Sequence, residues 1–241
     1  MFRCRVEPLR ATDLDQESYM LGIRIGCLWR QPFDSALALV GLFLLCITGI
    51  LPITALLVRA SSPGGIIFRQ NRIGFRDTEF ELLKFRTMVP DASDDGRNDV
   101  SSGNPRLIKL GRFPLGLVLR VTRLDEQLNF INVLREQMAI VGPRPFVPAR
   151  LEEAKRHGHK PWTVRPGLFS IVLALYGHNA KEHICGWSCR IISEQQYPKR
   201  KSVLYDLYII CRTFFALLRL VDTSLQTGLE GQLKEFKTGA D

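Results

Sequence analysis

The sequence predicts a helix-rich α+β fold in which a small globular domain is tied to a proline-broken membrane helix. Three observations carry that prediction. Ser35 to Val58 is a run of roughly 24 residues without a charge, long enough to cross the hydrocarbon layer of a bilayer. Short strand-like segments at 66–68 and 79–85 flank an Arg-rich turn, Gln70-Asn-Arg-Ile-Gly74. Helical patterns then follow at 119–134, 150–159 and 203–221.

The totals set the frame. A chain of 241 residues holds one medium domain with an appendage. Its net charge of +9 and pI near 9.5 call for an anionic partner: a phosphorylated substrate, nucleic acid or an acidic membrane face. The six cysteines, at positions 4, 27, 46, 185, 189 and 211, are scattered and form no disulfide framework, which points to a reducing, cytosolic setting.

Residues 1–30 read as a variable N-terminal extension, too polar at the start for a signal peptide. Residues 31–60 form the membrane segment. Pro52 lies about two-thirds along the uncharged run, where it removes a backbone donor and breaks the helix. Arg24 and Arg30 precede the run, and Arg59, Arg69, Arg72 and Arg76 follow it. Basic flanks on both sides fit a re-entrant helix with both ends on the cytoplasmic face. A straight single pass is the other reading. Residues 61–222 make the cytosolic globular domain, and 223–241 a polar tail.

Within that domain, Asp91 to Asn104 is a polar loop, rich in Asp, Ser, Asn and Gly. Leu119 to Leu134 is expected to be one apolar-striped helix capped by Thr122, with Asp125 and Glu126 in its first turn. A charged helix at 150–159 ends at Gly158 and Pro161. Leu168 to Tyr176 is apolar enough for either a strand or an interfacial helix. Val203 to Val221 carries Asp206, Arg212 and Arg219 among apolar residues, the pattern of a helix lying on a membrane or on another helix.

The chemistry-bearing residues cluster around that acid pair. On spacing alone, acids in a first turn are simply favoured by the helix dipole. The same field keeps a carboxylate ionised, able to attack phosphorus or bind a metal. Arg144 in Val141-Gly-Pro-Arg-Pro145 is held between two fixed φ angles, which orients a guanidinium for phosphate. Lys84 and Arg86 share one strand face at period two. Arg106 and Arg165 add cations beside turns. His178, His183, Cys185 and Cys189 lack the paired spacings of structural zinc sites and read as free thiols with nearby histidines. No Walker A, Rossmann, GxSxG or HExxH motif is present. The basic residues are not interleaved with aromatics, so nucleic acid is not an expected partner.

Taken in order, these blocks resemble the bacterial sugar transferases, the monotopic polyprenyl-phosphate phosphoglycosyl transferases. The blocks are Phe33-Asp34, the proline-broken helix, Phe68-Arg-Gln-Asn-Arg-Ile-Gly74 and Lys84-Phe-Arg-Thr-Met88. Asn104-Pro-Arg106, Gly111-Arg-Phe113 and Leu124-Asp-Glu126 come next. Asn132-Val-Leu134, Val141-Gly-Pro-Arg-Pro145, Arg165-Pro-Gly167 and 202–213 complete the series. The resemblance implies that Asp125 attacks the β-phosphate of a UDP-sugar, that Glu126 holds Mg²⁺, and that Lys84, Arg86, Arg106, Arg144 and Arg165 bind phosphate. It implies UMP release and transfer of the phosphosugar to polyprenyl phosphate at the inner membrane of a bacterial cell, in exopolysaccharide, capsule, O-antigen or glycoconjugate assembly. Membrane lipids are the implied surroundings, and a homo-oligomer is compatible with it. The chain departs from the family at Asn104, at an insertion over Pro114 to Val118, and at Gln127 to Phe130. Those departures motivate a second reading, a non-catalytic membrane-anchored scaffold of a glycan-assembly complex.

Overall fold

The computed structural model describes residues 16–89, 106–176, 191, 193–195, 197–198 and 201–216, with side chains from residue 31 onward except 175 and 176. The 91–104 loop, the His178 to Cys189 group, residues 1–15 and the 223–241 tail lie outside the described residues. Within them the chain is helix-rich α+β, with two small two-stranded sheets.

Helix α1 (Gln16–Ile47) continues without a break from the extension into the uncharged run, and α2 (Ile50–Ser61) follows it. Gly49, at φ 76°, separates them, and the arms Gln31–Ile47 and Ile50–Ser61 are bent by 64°. The break comes one turn before Pro52 for a physical reason. A proline cannot donate to the carbonyl four residues back, and its ring clashes with it. That carbonyl belongs to Thr48. The chain therefore leaves the helix at Thr48 and Gly49, and Pro52 falls in the first turn of α2, where no intrahelical donor is missed. No single described helix is long and apolar enough to cross a membrane; the bent pair passes that test together.

The two arms dock on different cores. Ala38 on α1 is buried with Phe80, Leu82, Val133 and Ile140. Val58 on α2 is buried with Leu83, Phe85, Ile108, Leu115 and Leu128. Strand β1 (Ile67–Ile73) pairs antiparallel with β2 (Glu79–Phe85). Because side chains alternate along a strand, β2 serves both cores, Phe80 and Leu82 on one side, Leu83 and Phe85 on the other.

The hairpin corrects the expected turn. Strand β1 runs through Gln70 to Ile73, and the chain reverses over Gly74 to Thr78, with Arg76 and Asp77 at φ 52° and 59°. Burial alternates in polar residues, with Gln70 and Arg72 inside and Asn71 outside. Arg72 donates there to the Gln70 side chain and the Pro145 carbonyl. An apolar-pattern reading cannot see such a strand.

The expected single helix over 119–134 is three pieces. Helix α3 (Leu115–Val121) takes in most of the inserted residues, a 3₁₀ turn spans Leu124–Leu128, and α4 is Asn129–Leu134. Arg123, at φ 60°, breaks the run. Thr122 does not cap a helix start; it ends α3, and its hydroxyl donates to the Val118 carbonyl at 2.7 Å.

Strand β3 (Ala139–Val141) pairs parallel with β4 (Gly167–Phe169). Between them lies α5 (Leu151–Arg156), followed by Gly158 at φ 86°. The ambiguous 168–176 segment is both things at once. It begins in β4, turns at Ser170 and becomes α6 (Ile171–Tyr176), whose Ile171 to Ala174 are buried in the core rather than interfacial. Helix α7 (203–216) buries Ile209 and Thr213 and exposes Val203, Leu204, Leu207, Phe214 and Phe215.

Candidate active site

The acid pair sits in the 3₁₀ turn between the two cores. Leu128, at its end, is buried with Val58, and Phe130, just beyond, packs against the core that holds Ala38. The Gln127 side chain donates to the Thr54 hydroxyl of α2 at 3.4 Å. The α2 arm therefore bears on the turn that carries Asp125 and Glu126, and the α1 arm on α4, the helix that follows it.

Both acids are buried. Asp125 Oδ1 has no hydrogen-bond partner. Burial, and then the charge of Glu126, push its carboxyl up to about 6, against the pull of Lys84, Arg123 and Arg120. Burial opposes the charge of Glu126 too, but Arg123, Arg144 and Lys84 outweigh it and hold that carboxyl well below the usual range. Glu126 Oε1 accepts from Arg123 at 2.6 Å and from Arg144 at 3.4 Å. One acid is a pinned anion. The other is an ionisable oxygen with nothing to bond.

The predicted cations divide. Lys84 joins the cluster: burial lowers its ammonium to about 8, opposed by Glu126 and Asp125 and reinforced by Arg72 and Arg144. Arg144 joins it directly. Its turn is clamped from two sides, by Gly167 N–H donating to the Pro143 carbonyl at 2.9 Å and by Arg72 donating to the Pro145 carbonyl at 3.4 Å. Gly142 and Gly167 make this possible, since a Cβ on either would strike the backbone of the facing loop. Arg106 stands beside Arg120, whose charge it opposes.

Arg86 and Arg165 are elsewhere. Arg86 lies beyond the end of β2, where it donates to the carbonyls of Ser62, at 2.7 Å, and Pro63, latching the loop after α2. Arg165 donates to Glu136 and Gln31, each at 3.2 Å. It lines a separate cavity of about 220 Å³ with Asp34, Phe75, Val141 and Tyr197. Period-two spacing and a neighbouring turn do not say which way a long side chain folds.

Two cations were missed by the sequence reading. Arg123 stands three residues before Glu126, an ion-pair spacing visible in the chain. Arg120 donates to the Thr87 hydroxyl at 2.9 Å and lies in the field of Asp125. Its Nη1 is buried without a partner. Lys84, Arg120, Arg123 and Arg144 thus face two carboxylates. The surplus of positive charge, with an orphaned donor and an orphaned acceptor, suits a dianionic phosphate group next to a nucleophilic carboxylate.

Comparison with known proteins gives the chain a family. The model of the family described as bacterial sugar transferase matches residues 26–220. The UDP-glucose:undecaprenyl-phosphate glucose-1-phosphate transferase of Escherichia coli (strain K12) is 34% identical over 74% of this chain and 38% of its own length. The UDP-N-acetylgalactosamine-undecaprenyl-phosphate N-acetylgalactosaminephosphotransferase of Aeromonas hydrophila is 30% identical over 68% of this chain and 38% of its own length. The chain thus spans well under half of those two relatives. It covers 87% of the exopolysaccharide production protein ExoY of Sinorhizobium fredii (strain NBRC 101917 / NGR234), at 30% identity over 80% of this chain. With a family model matched over residues 26–220, from within α1 onward, the chain belongs to the bacterial sugar transferase family.

Proposed function

We propose that this chain transfers a sugar-1-phosphate from a UDP-sugar to polyprenyl phosphate through a covalent intermediate on Asp125. The observation that carries the proposal is the buried, unpartnered Oδ1 of Asp125 within a cluster of cations. A carboxyl with a pKa near 6 is ionised at neutral pH, and an ionised oxygen without a hydrogen bond is a better nucleophile than a solvated one.

Asp125 attacks the β-phosphorus of the donor, a new P–O bond forms, and the bond to the bridging oxygen breaks, so UMP leaves. An oxygen of polyprenyl phosphate then attacks the same phosphorus and returns the Asp125 carboxylate. No net proton is needed in either step. Arg144, Lys84 and Arg120 bind the diphosphate charge, and Arg123 keeps Glu126 in place.

Mg²⁺ fits the residues present. Among the described residues no group of three His, Cys, Asp or Glu side chains could hold a metal, and the site there offers the two adjacent carboxylates. One or two carboxylates, completed by phosphate oxygens and water, is the donor set this ion takes. Glu126 would hold it, and when bound it would neutralise charge on the diphosphate. The bent α1–α2 pair and the apolar face of α7 favour a re-entrant seat in the inner membrane of a bacterial cell, the site facing the cytoplasm, where nucleotide sugars meet the lipid phosphate.

The test is UMP release by the full chain in lipid nanodiscs, with polyprenyl phosphate, Mg²⁺ and a panel of UDP-sugars. Wild type should release UMP with at least one donor and, without acceptor, should carry a phosphosugar adduct by intact mass. Asp125→Asn should do neither. Full turnover by that variant would remove Asp125 as nucleophile, and silence with every donor would favour a scaffolding role.

A further inference from the structure

Two guanidinium groups reach Glu126 Oε1, and they are not equivalent. Arg123 Nη1 stands at 2.6 Å with its side chain 14% exposed, whereas Arg144 Nη2 stands at 3.4 Å with its side chain 31% exposed. A short charge-assisted bond in dry surroundings is stronger than a long one near water.

The backbone draws the same distinction. Arg123 takes φ 60°, ψ 17°, a left-handed conformation that a residue with a Cβ adopts only when its surroundings impose it. That turn precedes the 3₁₀ segment and brings the guanidinium back onto the residue three positions ahead. Arg144 is held the other way round. Its neighbours Pro143 and Pro145 are anchored through their carbonyls, while its own fork is the more exposed and the more loosely engaged.

We infer that the two arginines divide the work: Arg123 is a fixed positioning residue for Glu126, and Arg144 releases its long contact with Glu126 to grip the donor diphosphate. The inference rests on the UDP-sugar reading above. A phosphate oxygen wins this exchange because two parallel N–H···O bonds replace one long one. Glu126 survives the loss because Arg123 stays; a buried carboxylate stripped of both its guanidinium partners would be strongly destabilising. One arginine alone cannot both hold the acid and leave it.

The experiment measures UDP binding by calorimetry and UMP release by the full chain in nanodiscs, for wild type, Arg144→Ala, Arg123→Gly and Arg123→Lys. Glycine adopts the left-handed conformation without strain, so Arg123→Gly removes the guanidinium without a backbone penalty. Arg144→Ala should weaken UDP by about tenfold or more, while Arg123→Gly changes it by less than about threefold. Arg123→Gly should lower kcat by roughly 30-fold with little change in KM, and Arg123→Lys should recover much of that loss. Equal weakening of UDP by both arginine variants would overturn the inference, as would wild-type kcat in Arg123→Gly or a wild type that does not bind UDP. The functional reading is judged separately: a chain that binds UDP in this pattern but releases no UMP keeps the two arginine roles and loses the transferase reaction.

Discussion

Asn132 on α4 accepts the Leu83 amide at 3.0 Å and donates to the Glu81 carbonyl at 2.7 Å, so one side chain pairs with β2 as a neighbouring strand would. Its second amide hydrogen goes to Gln137 Oε1 at 2.8 Å. Asn132 is fully buried, and the helix it rides on leads straight out of the acid turn. Asn132 thereby ties the helix that follows the acid turn to the strand that carries Lys84.

Asn132→Ala strands a buried amide and a buried carbonyl on β2. Each unsatisfied group costs about 1–3 kcal/mol, so the loss should be roughly 2–6 kcal/mol. Thermal melting in detergent should show a drop of about 4–24 °C for a domain of this size. A drop under about 2 °C would mean that water replaces the amide at β2.

The Asp125 carboxyl, raised to about 6, gives a signed pH prediction. A carboxyl raised in the folded state favours folding when protonated; that contribution is complete below the unfolded value near 3.8 and is lost as pH rises through about 6. Above that range the buried charge is a cost. In metal-free buffer at pH 7.5, Asp125→Asn should therefore melt higher than wild type, with the gap closing as pH falls below about 6. UMP release by wild type should decline through the same interval, as the nucleophile takes up a proton. Equal melting temperatures at pH 7.5 would mean that the ionised carboxylate carries no cost.

Lys84 and Arg86 share a strand face in sequence but should part in kinetics. Lys84→Ala should lower kcat/KM by about 100-fold or more, because it removes a half-buried cation from the acid cluster. Arg86→Ala releases the carbonyls of Ser62 and Pro63 and should lower the melting temperature with KM within about threefold of wild type. A large rise in KM for the Arg86 variant would return that residue to the phosphate site.

Topology has its own test. In a background with the native cysteines replaced, a single cysteine placed in residues 1–15 should resist labelling from outside the cell if the bent pair is re-entrant. Combining Gly49→Ala with Pro52→Ala removes both the left-handed residue and the ring that interrupts the helix, and should favour a straight run. Labelling should then appear. Strong labelling of the starting protein would favour a single pass.

Much of this was legible in the chain because the signals are local. The uncharged run and Pro52 foretold the broken helix, and Gly-Pro-Arg-Pro foretold a rigid turn presenting Arg144. What escaped was set by tertiary contact. Thr122 has the spacing of a cap, yet it ends one helix instead of starting another, because Arg123 turns left-handed to reach Glu126. Strand β1 hides its period in Gln70 and Arg72, polar residues buried where Arg72 bonds to Gln70 and to the Pro145 carbonyl. Arg165 carries a turn's signature but spends its charge on Glu136 and Gln31, partners remote in sequence.

The bent helix has a further consequence. Along its two arms from Gln31 to Ser61, only Asp34, Ala38, Thr54 and Val58 are buried, one pair on each arm at a spacing of four. The protein grips this element along a narrow seam, with Leu51, Ala55 and Leu57 half-buried beside it, while Leu39, Phe43, Leu44, Ile47, Ile53 and Leu56 face outward. In the proposed setting the surrounding lipid is a third core, and the acid turn packed on α2 inherits its order from acyl chains as well as from side chains. Lipid thickness and fluidity then become variables of the site's geometry, acting through Thr54 and Gln127 on the turn that carries Asp125.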